Sequence, residues 1–157
     1  MNRTDRIVLE VAGEPVAQPR AKYDSRNRRT YTPDRTGKLE VWKQRLFFSA
    51  RALDGASKDL ARDWADSQTP LLVVFGLRLR QPKSSKRRWP TTKPDWDNLA
   101  KAVQDALEDA GAFGNDCRIV QAFVDERWAS AQSPPGATIV IQEAREDLLE
   151  SFLHVLA

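Results

Sequence analysis

The sequence predicts an α+β fold, a single domain of 157 residues with a small mixed β-sheet packed against helices. Three observations point there. The order of patterned segments is strand, basic segment, helix, strand, basic loop, helix, strand, strand, helix, which suits one small mixed sheet. Neither an internal repeat nor an interdomain linker interrupts it. At 41% hydrophobic residues the chain can bury a core and is not disordered.

Ile7 to Val11 reads Ile-Val-Leu-Glu-Val, a short strand ended by Gly13 and Pro15. Residues 16 to 32 are polar, basic and rich in turn formers: either an ordered hairpin, with Thr30 to Thr32 as a brief strand, or a flexible basic loop. Pro33 opens a helical region. Leu39, Trp42, Leu46, Ser49, Ala50 and Leu53 form its apolar stripe, and Lys38, Lys43, Arg45 and Arg51 lie off much of it. Gly55 breaks this helix before a short helical piece near Lys58 to Trp64. Leu71 to Arg80 (LLVVFGLRLR) is the clearest strand, starting as a continuous apolar run and ending in alternation. Residues 81 to 94 have three prolines, two serines and no apolar period, so they form a loop. The next helix starts at Asp95 or Asp97, buries Leu99, Ala102, Val103, Ala106, Leu107 and Ala110, and is capped by Gly111. Cys117 to Trp128 reads as a strand, with Ile119, Gln121, Phe123 and Asp125 on one face and Val120, Ala122 and Val124 on the other. After a turn at Pro134, Pro135 and Gly136, Ala137 to Gln142 is a further strand, and residues 144 to 156 form an acidic amphipathic helix.

Composition excludes several chemistries. Cys117 is the only cysteine, so neither an internal disulfide nor a Cys-rich zinc site can form. His154 is the only histidine, its apolar neighbours suit a packed terminal helix, and no serine sits in Gly-x-Ser-x-Gly. Any metal site therefore draws on oxygen ligands, which suit magnesium or manganese. No apolar run approaches the roughly 20 residues of a membrane helix, and the N-terminus MNRTDRIVLEVAG has no signal-peptide core. The expectation is a cytoplasmic protein with no membrane association and no small-molecule cofactor.

The net charge is +3, unevenly spread. Arg20 to Arg45 holds nine Lys/Arg against Asp24, Asp34 and Glu40, and Arg78 to Lys93 holds seven with no acid. Each block is either a solvated face or a surface for a polyanion.

The segment KPDWDNLAKAVQDALEDAG, followed by AFGNDCRIV, concentrates the candidate chemistry. Pro94 biases Lys93 toward extended backbone, placing Asp95 and Asp97 at a loop-to-helix junction. Two residues apart in an extended stretch, their carboxylates can converge on one cation. Asp97, Lys101 and Asp105, at i, i+4 and i+8, share one helix face. A lysine beside a carboxylate-held cation suits phosphodiester cleavage. The same residues are also ordinary helix furniture: Asp caps helices, acids offset the macrodipole, and Asn115-Asp116 is common turn chemistry.

Lys93, Pro94, Asp95, Trp96, Asp97, Asn98, Leu99, then Lys101, then Asp105, Ala106, Leu107, then Asp116 and Val120, closely resemble the signature of RusA-type Holliday-junction resolvases. That signature is Asp-x-Asp-Asn-Leu-x-Lys, a helix, and an aspartate nineteen residues after the second, the spacing of Asp97 to Asp116 here. The resemblance implies a RusA-like fold, metal-ligand roles for Asp95, Asp97 and Asp116, and a catalytic role for Lys101. Asn98 is expected to fix the helix start. Gly13-x-Pro15, Gln18-Pro19-Arg20, Tyr31-Thr32-Pro33 and Pro82-Lys83-Ser84 also resemble phage and prophage members, and the likeness spans roughly residues 7 to 142. Asn115 stands where family members often have a second acid. Trp96 stands where a smaller aliphatic residue is usual, and it is expected to pack.

The resemblance implies a Mg-dependent, structure-selective endodeoxyribonuclease, with Mn as a possible substitute, that resolves four-way DNA junctions as a homodimer. Arg20, Arg28, Arg29, Lys83, Lys86, Arg87 and Arg88 are the candidate phosphate contacts. Trp89 either stacks on an unpaired base or covers the domain. Two alternatives stand beside this reading: a non-catalytic junction- or duplex-binding protein with the aspartates as caps, and a nuclease preferring flaps, forks or RNA.

Overall fold

The computed structural model describes residues 5–148. In chain order they form Arg6–Ala12 (β1), Lys22–Asp24 (β2), Arg29–Tyr31 (β3), Lys38–Arg51 (α1), Gly55–Asp66 (α2), Leu71–Leu79 (β4), Trp96–Asp109 (α3), a 3₁₀ turn at Asp116–Arg118, Ile119–Trp128 (β5) and Gly136–Glu143 (β6). The fold is α+β, as expected. The mixed four-stranded sheet has the order β1-β6-β4-β5, and β2 and β3 form a separate hairpin. β4 runs parallel to β5 and antiparallel to β6, which is antiparallel to β1.

Strand alternation decides what faces inward. Ile7, Leu9 and Val11 of β1, Leu71, Val73, Phe75, Leu77 and Leu79 of β4, and Ala137, Ile139 and Ile141 of β6 are buried on one face. The helices cover that face with Leu39, Trp42, Leu46 and Ala50 of α1, Ala61 and Trp64 of α2, and Leu99, Ala102, Val103, Ala106 and Leu107 of α3. No described helix is long and apolar enough to cross a membrane.

Four features differ from the sequence expectation, each for an identifiable reason. α1 begins at Lys38, not Pro33: Gly37 takes a left-handed conformation at its N-cap, and the Asp34 carboxylate accepts from the Glu40 N–H at 3.1 Å. α2 is a full helix of 12 residues because Asp54 caps it, accepting from the Ser57 N–H at 2.7 Å. β5 carries a bulge. Leu71 pairs with Ile119 but Leu72 with Gln121, which leaves Val120 as an extra residue. The bulge flips the phase, so Ile119 and Val124, an odd number apart, both pack on the core. Ile119 therefore does not share its face with Phe123 and Asp125; beyond the bulge Val124, Glu126 and Trp128 take the helix side. Finally, residues 144 and 145 are not helical. The Ala144 N–H donates to Pro70 O, and Arg145 N–H donates to the Gln121 side chain. Most of the expected terminal helix, residues 149–156 with His154, lies outside the described residues.

α3 ends where expected. Gly111 (φ 77°) donates to Glu108 O at 2.9 Å and Ala112 to Leu107 O at 2.9 Å, the paired bonds of a Schellman close. Arg118, buried, donates to the Trp64 carbonyl and ties the start of β5 to α2.

The β1–β6 contact is close at Gly136, where a β-carbon would lie 2.5 Å from Val11 O. Gly136→Ala must push two paired strands apart and is expected to lower stability by about 1–3 kcal/mol in urea denaturation.

Candidate active site

β1, β4 and β5 point the same way, so the segments that follow them emerge at one end of the sheet. These are residues 13–20, the basic loop 80–95 leading into α3, and residues 129–135. Two main-chain bonds knit them, Gly13 N–H to Pro135 O at 3.0 Å and Ala129 N–H to Leu79 O at 2.7 Å. Carboxyl ends of parallel strands are where open sheets with crossover helices bind ligands. Here both basic blocks and the N-terminus of α3 meet.

Asp95 is the N-cap residue of α3 in extended conformation (φ −78°, ψ 142°), yet its carboxylate makes no capping bond. Asp54, in the same position on α2, does cap. The Asp95 side chain is thus not spent on the helix. Asp97, exposed in the first turn, accepts from the Asn98 side chain at 3.2 Å. The Lys93–Pro94 peptide bond just upstream is cis. Trp96, expected to pack, is instead 59% exposed: it occupies the first position of α3, ahead of the buried stripe that begins at Leu99.

A third acid joins this end. Glu126, turned toward the helix side by the bulge in β5, is half-buried, and its Oε1 is buried without a hydrogen-bond partner among the described residues. Burial, and then the negative charge of Asp95, push its carboxyl above the ordinary range. Sequence reading missed Glu126. The signal was hidden because the bulge reverses strand alternation.

Lys101 does not pair with Asp97. It donates to Asp105 Oδ1 at 3.1 Å. On an isolated helix the acid-before-lysine order of Asp97 and Lys101 would be the better one, at about 0.2–0.5 kcal/mol. Tertiary partners reverse the choice: Asp105 Oδ2 also accepts from Gln18 Nε2 at 2.8 Å and from Lys43 Nζ of α1 at 3.4 Å. Burial pushes the Asp105 carboxyl up, but the bonds from Gln18 and Lys101 and the charges of Lys101 and Lys43 together outweigh it and hold it below its usual value. Gln18 is fixed by its main chain too, N–H to Asn98 O at 2.9 Å. Lys43 had no sequence signal, since which way it faces depends on how α1 packs on α3.

Asp116 lies further along α3. It accepts from Gln104 Nε2 at 2.8 Å, and its N–H donates to Glu108 Oε1 at 3.2 Å. Residues 97 and 104 are separated by about 10 Å of helix axis at 1.5 Å per residue. Among the described residues no three acids, histidines or cysteines are gathered into a metal-holding group. Asp95 and Asp97 stand at one end of α3 with Glu126, and Asp116 stands beside its second half.

The cations Arg20, Arg28, Arg29, Lys83, Lys86, Arg87 and Arg88 are all exposed. Arg20 follows the anchored Gln18. Arg28 and Arg29 sit at an ordered hairpin turn, closed by bonds from Arg26 N–H (3.0 Å) and the Asn27 side chain (2.6 Å) to Asp24. The basic loop is pinned as well. Arg87 O accepts from Trp128 Nε1 at 2.8 Å and from Gln81 Nε2 at 3.1 Å, while the Arg87 guanidinium donates to Thr91. Trp89, 44% exposed, has Arg88 and Arg127 guanidinium carbons 6.0 and 5.3 Å from its ring centre.

The family model described as Endodeoxyribonuclease RusA matches residues 12–142. No individual curated protein matches the chain.

The raised Glu126 carboxyl has a definite consequence for stability. Its ionised form is disfavoured in the folded protein, so the penalty is absent below the unfolded carboxyl range and grows as pH rises through it. Glu126→Gln is expected to raise Tm at pH 7 in metal-free buffer, with the gain closing toward pH 4.

Proposed function

Since the chain belongs to the RusA endodeoxyribonuclease family, we propose that it is a magnesium-dependent resolvase that hydrolyses paired phosphodiesters in four-way DNA junctions. The observation that carries this reading is Asp95, an N-cap residue whose carboxylate makes no capping bond, near the half-buried Glu126, whose Oε1 has no hydrogen-bond partner among the described residues. An acid pair whose charges repel, with one oxygen orphaned, fits a hard divalent cation; helix capping does not require it.

Asp95, Asp97 and Asp116 are the proposed ligands, with Glu126 as a further acid at the Asp95 end and manganese as a substitute ion. For all three to hold one ion, Asp116 would have to leave Gln104 and close the separation along α3 from Asp97. When bound, the cation supplies Lewis-acid polarisation of the scissile phosphate and a more acidic water. The chain's own groups do the rest. Lys101 places a positive charge beside the phosphate as negative charge develops on its oxygens. Arg20, Arg28, Arg29, Lys83, Lys86, Arg87 and Arg88 grip the DNA arms without reading sequence. The exposed rings of Trp89 and Trp96 offer faces to unpaired bases at the crossover. A twofold homodimer presents two such sites to a junction of approximate twofold symmetry.

Asp97→Asn is expected to lower junction cleavage by about 100-fold or more while junction affinity stays within about twofold. Metal-dependent cutting retained in a contaminant-free Asp97→Asn preparation overturns the reading. Equal-length junction, fork, flap and duplex substrates in magnesium separate the resolvase from a nuclease of other preference. Tight, salt-sensitive binding with no cleavage favours a binding protein. Replacing Lys86 and Arg88 together by Ala is expected to weaken binding to all these substrates alike and to reduce the salt slope by about 2.

A further inference from the structure

We propose that Asp105 is a positioning residue that holds the Lys101 ammonium in the cleavage site, and that Gln18 and Lys43 fix Asp105 for this task. The inference rests on the endonuclease reading above and adds to it the residues that set where its lysine stands.

Asp105 has both carboxylate oxygens engaged, by donors from three parts of the fold. Lys101 of α3 reaches Oδ1 at 3.1 Å, and Gln18 of the segment after β1 and Lys43 of α1 reach Oδ2 at 2.8 and 3.4 Å. The Asp105 side chain is 24% exposed, whereas that of Lys101 is 56% exposed. One partner of this ion pair is thus anchored and the other is open to solvent. A long exposed lysine alone samples many rotamers, and an anchored carboxylate one turn away selects among them.

The direction of the selection matters. Lys101 stands four residues from Asp97 and four from Asp105, so it can lean toward either. Leaning toward Asp97 would neutralise a carboxylate proposed to hold the cation. Asp105 draws it the other way and leaves Asp97 with the Asn98 side chain as its hydrogen-bond donor among the described residues. The cluster of Lys43, Lys101 and Asp105 keeps one net positive charge, favourable beside a phosphodiester. Gln18 adds a mechanical link: its main chain is bonded to Asn98 and its side chain to Asp105, so the segment leading to Arg20 is laid along the same helix. A DNA-gripping residue and the lysine are thereby placed from one support.

Single-turnover cleavage of a four-way junction in magnesium tests this, using the full chain with Asp105→Asn, Lys101→Met and both together. Asp105→Asn is expected to slow cleavage by about 10-fold or more with junction affinity within about twofold, and to cause no further loss in the Lys101→Met background. The same fold-loss in both backgrounds marks a merely structural role and overturns the inference. So does an Asp105→Asn protein that cuts at the unsubstituted rate while Asp97→Asn is inactive; in that case the endonuclease reading stands. If the unsubstituted protein does not cut, the endonuclease reading falls and this inference with it. Gln18→Met, which removes a donor and leaves every charge in place, provides a second variant should Asp105→Asn fail to fold. It is expected to give a smaller loss that likewise disappears in the Lys101→Met background, and an undiminished rate overturns the inference. Nitrogen-edited NMR of the lysine ammonium groups reads the same contact without activity. A Lys101 signal protected in the unsubstituted protein is expected to be lost in Asp105→Asn, and an unchanged signal counts against the proposal.

Discussion

The structure depends on the parallel pairing of β4 with β5. A parallel neighbour cannot be reached by a tight turn, so the chain must cross back over the sheet, and α3 is that crossover. The crossover places the loop after β4 and the first turn of α3 at the carboxyl end of the sheet, and Asp116 before the amino end of β5. The antiparallel pairings of β6 with β4 and β1 then bring the carboxyl end of β1 to the same end of the sheet. Two basic segments far apart in sequence meet the aspartates there because three strands share a direction. The covered face of this sheet is apolar almost throughout, which holds the register in place: a slip by one residue would expose the inner row of β4.

Within that frame α3 carries two carboxylate environments of opposite character. At its start, Asp95 makes no capping bond, and burial together with the Asp95 charge disfavours the ionised form of Glu126. Two turns on, Asp105 is surrounded by donors and held charged. The first arrangement is short of positive charge and the second is supplied with it. Environments that push like groups apart are how one fold assigns different tasks to the same residue type. The contrast comes from neighbours outside the helix: β5 contributes Glu126, the segment after β1 contributes Gln18, and α1 contributes Lys43.

Cations and aromatics are treated differently from carboxylates. The basic loop has almost no apolar content, yet it is ordered, because Trp128 and Gln81 hold the Arg87 carbonyl and Arg87 in turn holds Thr91. Its remaining charges face solvent. Trp89 lies among guanidinium groups rather than in the core. An ordered array of exposed cations loses less freedom on meeting a phosphate backbone than a floppy one does.

What the sequence determined by itself is what short-range chemistry controls. The strand at Leu71–Leu79 and the buried stripe of α3 follow from periodicity, the Gly111 close from the need for positive φ, and the acids at the loop-to-helix junction from Pro94 and the residues after it. The signature spacing of Asp95, Asp97, Lys101 and Asp116 was equally legible. The tertiary structure alone decided how those groups associate. Lys101 had two acids within reach on its own helix, of nearly equal local energy, and contacts from Gln18 and Lys43 broke the tie. Glu126 entered the site through a one-residue bulge that shifts strand phase, which pattern reading carries straight past. Trp96 was expected to pack, but it stands at the first position of α3, ahead of the stripe that the sheet covers from Leu99 onward, and is exposed. In each case the local preferences are worth a fraction of a kcal/mol, and packing between distant segments outweighs them.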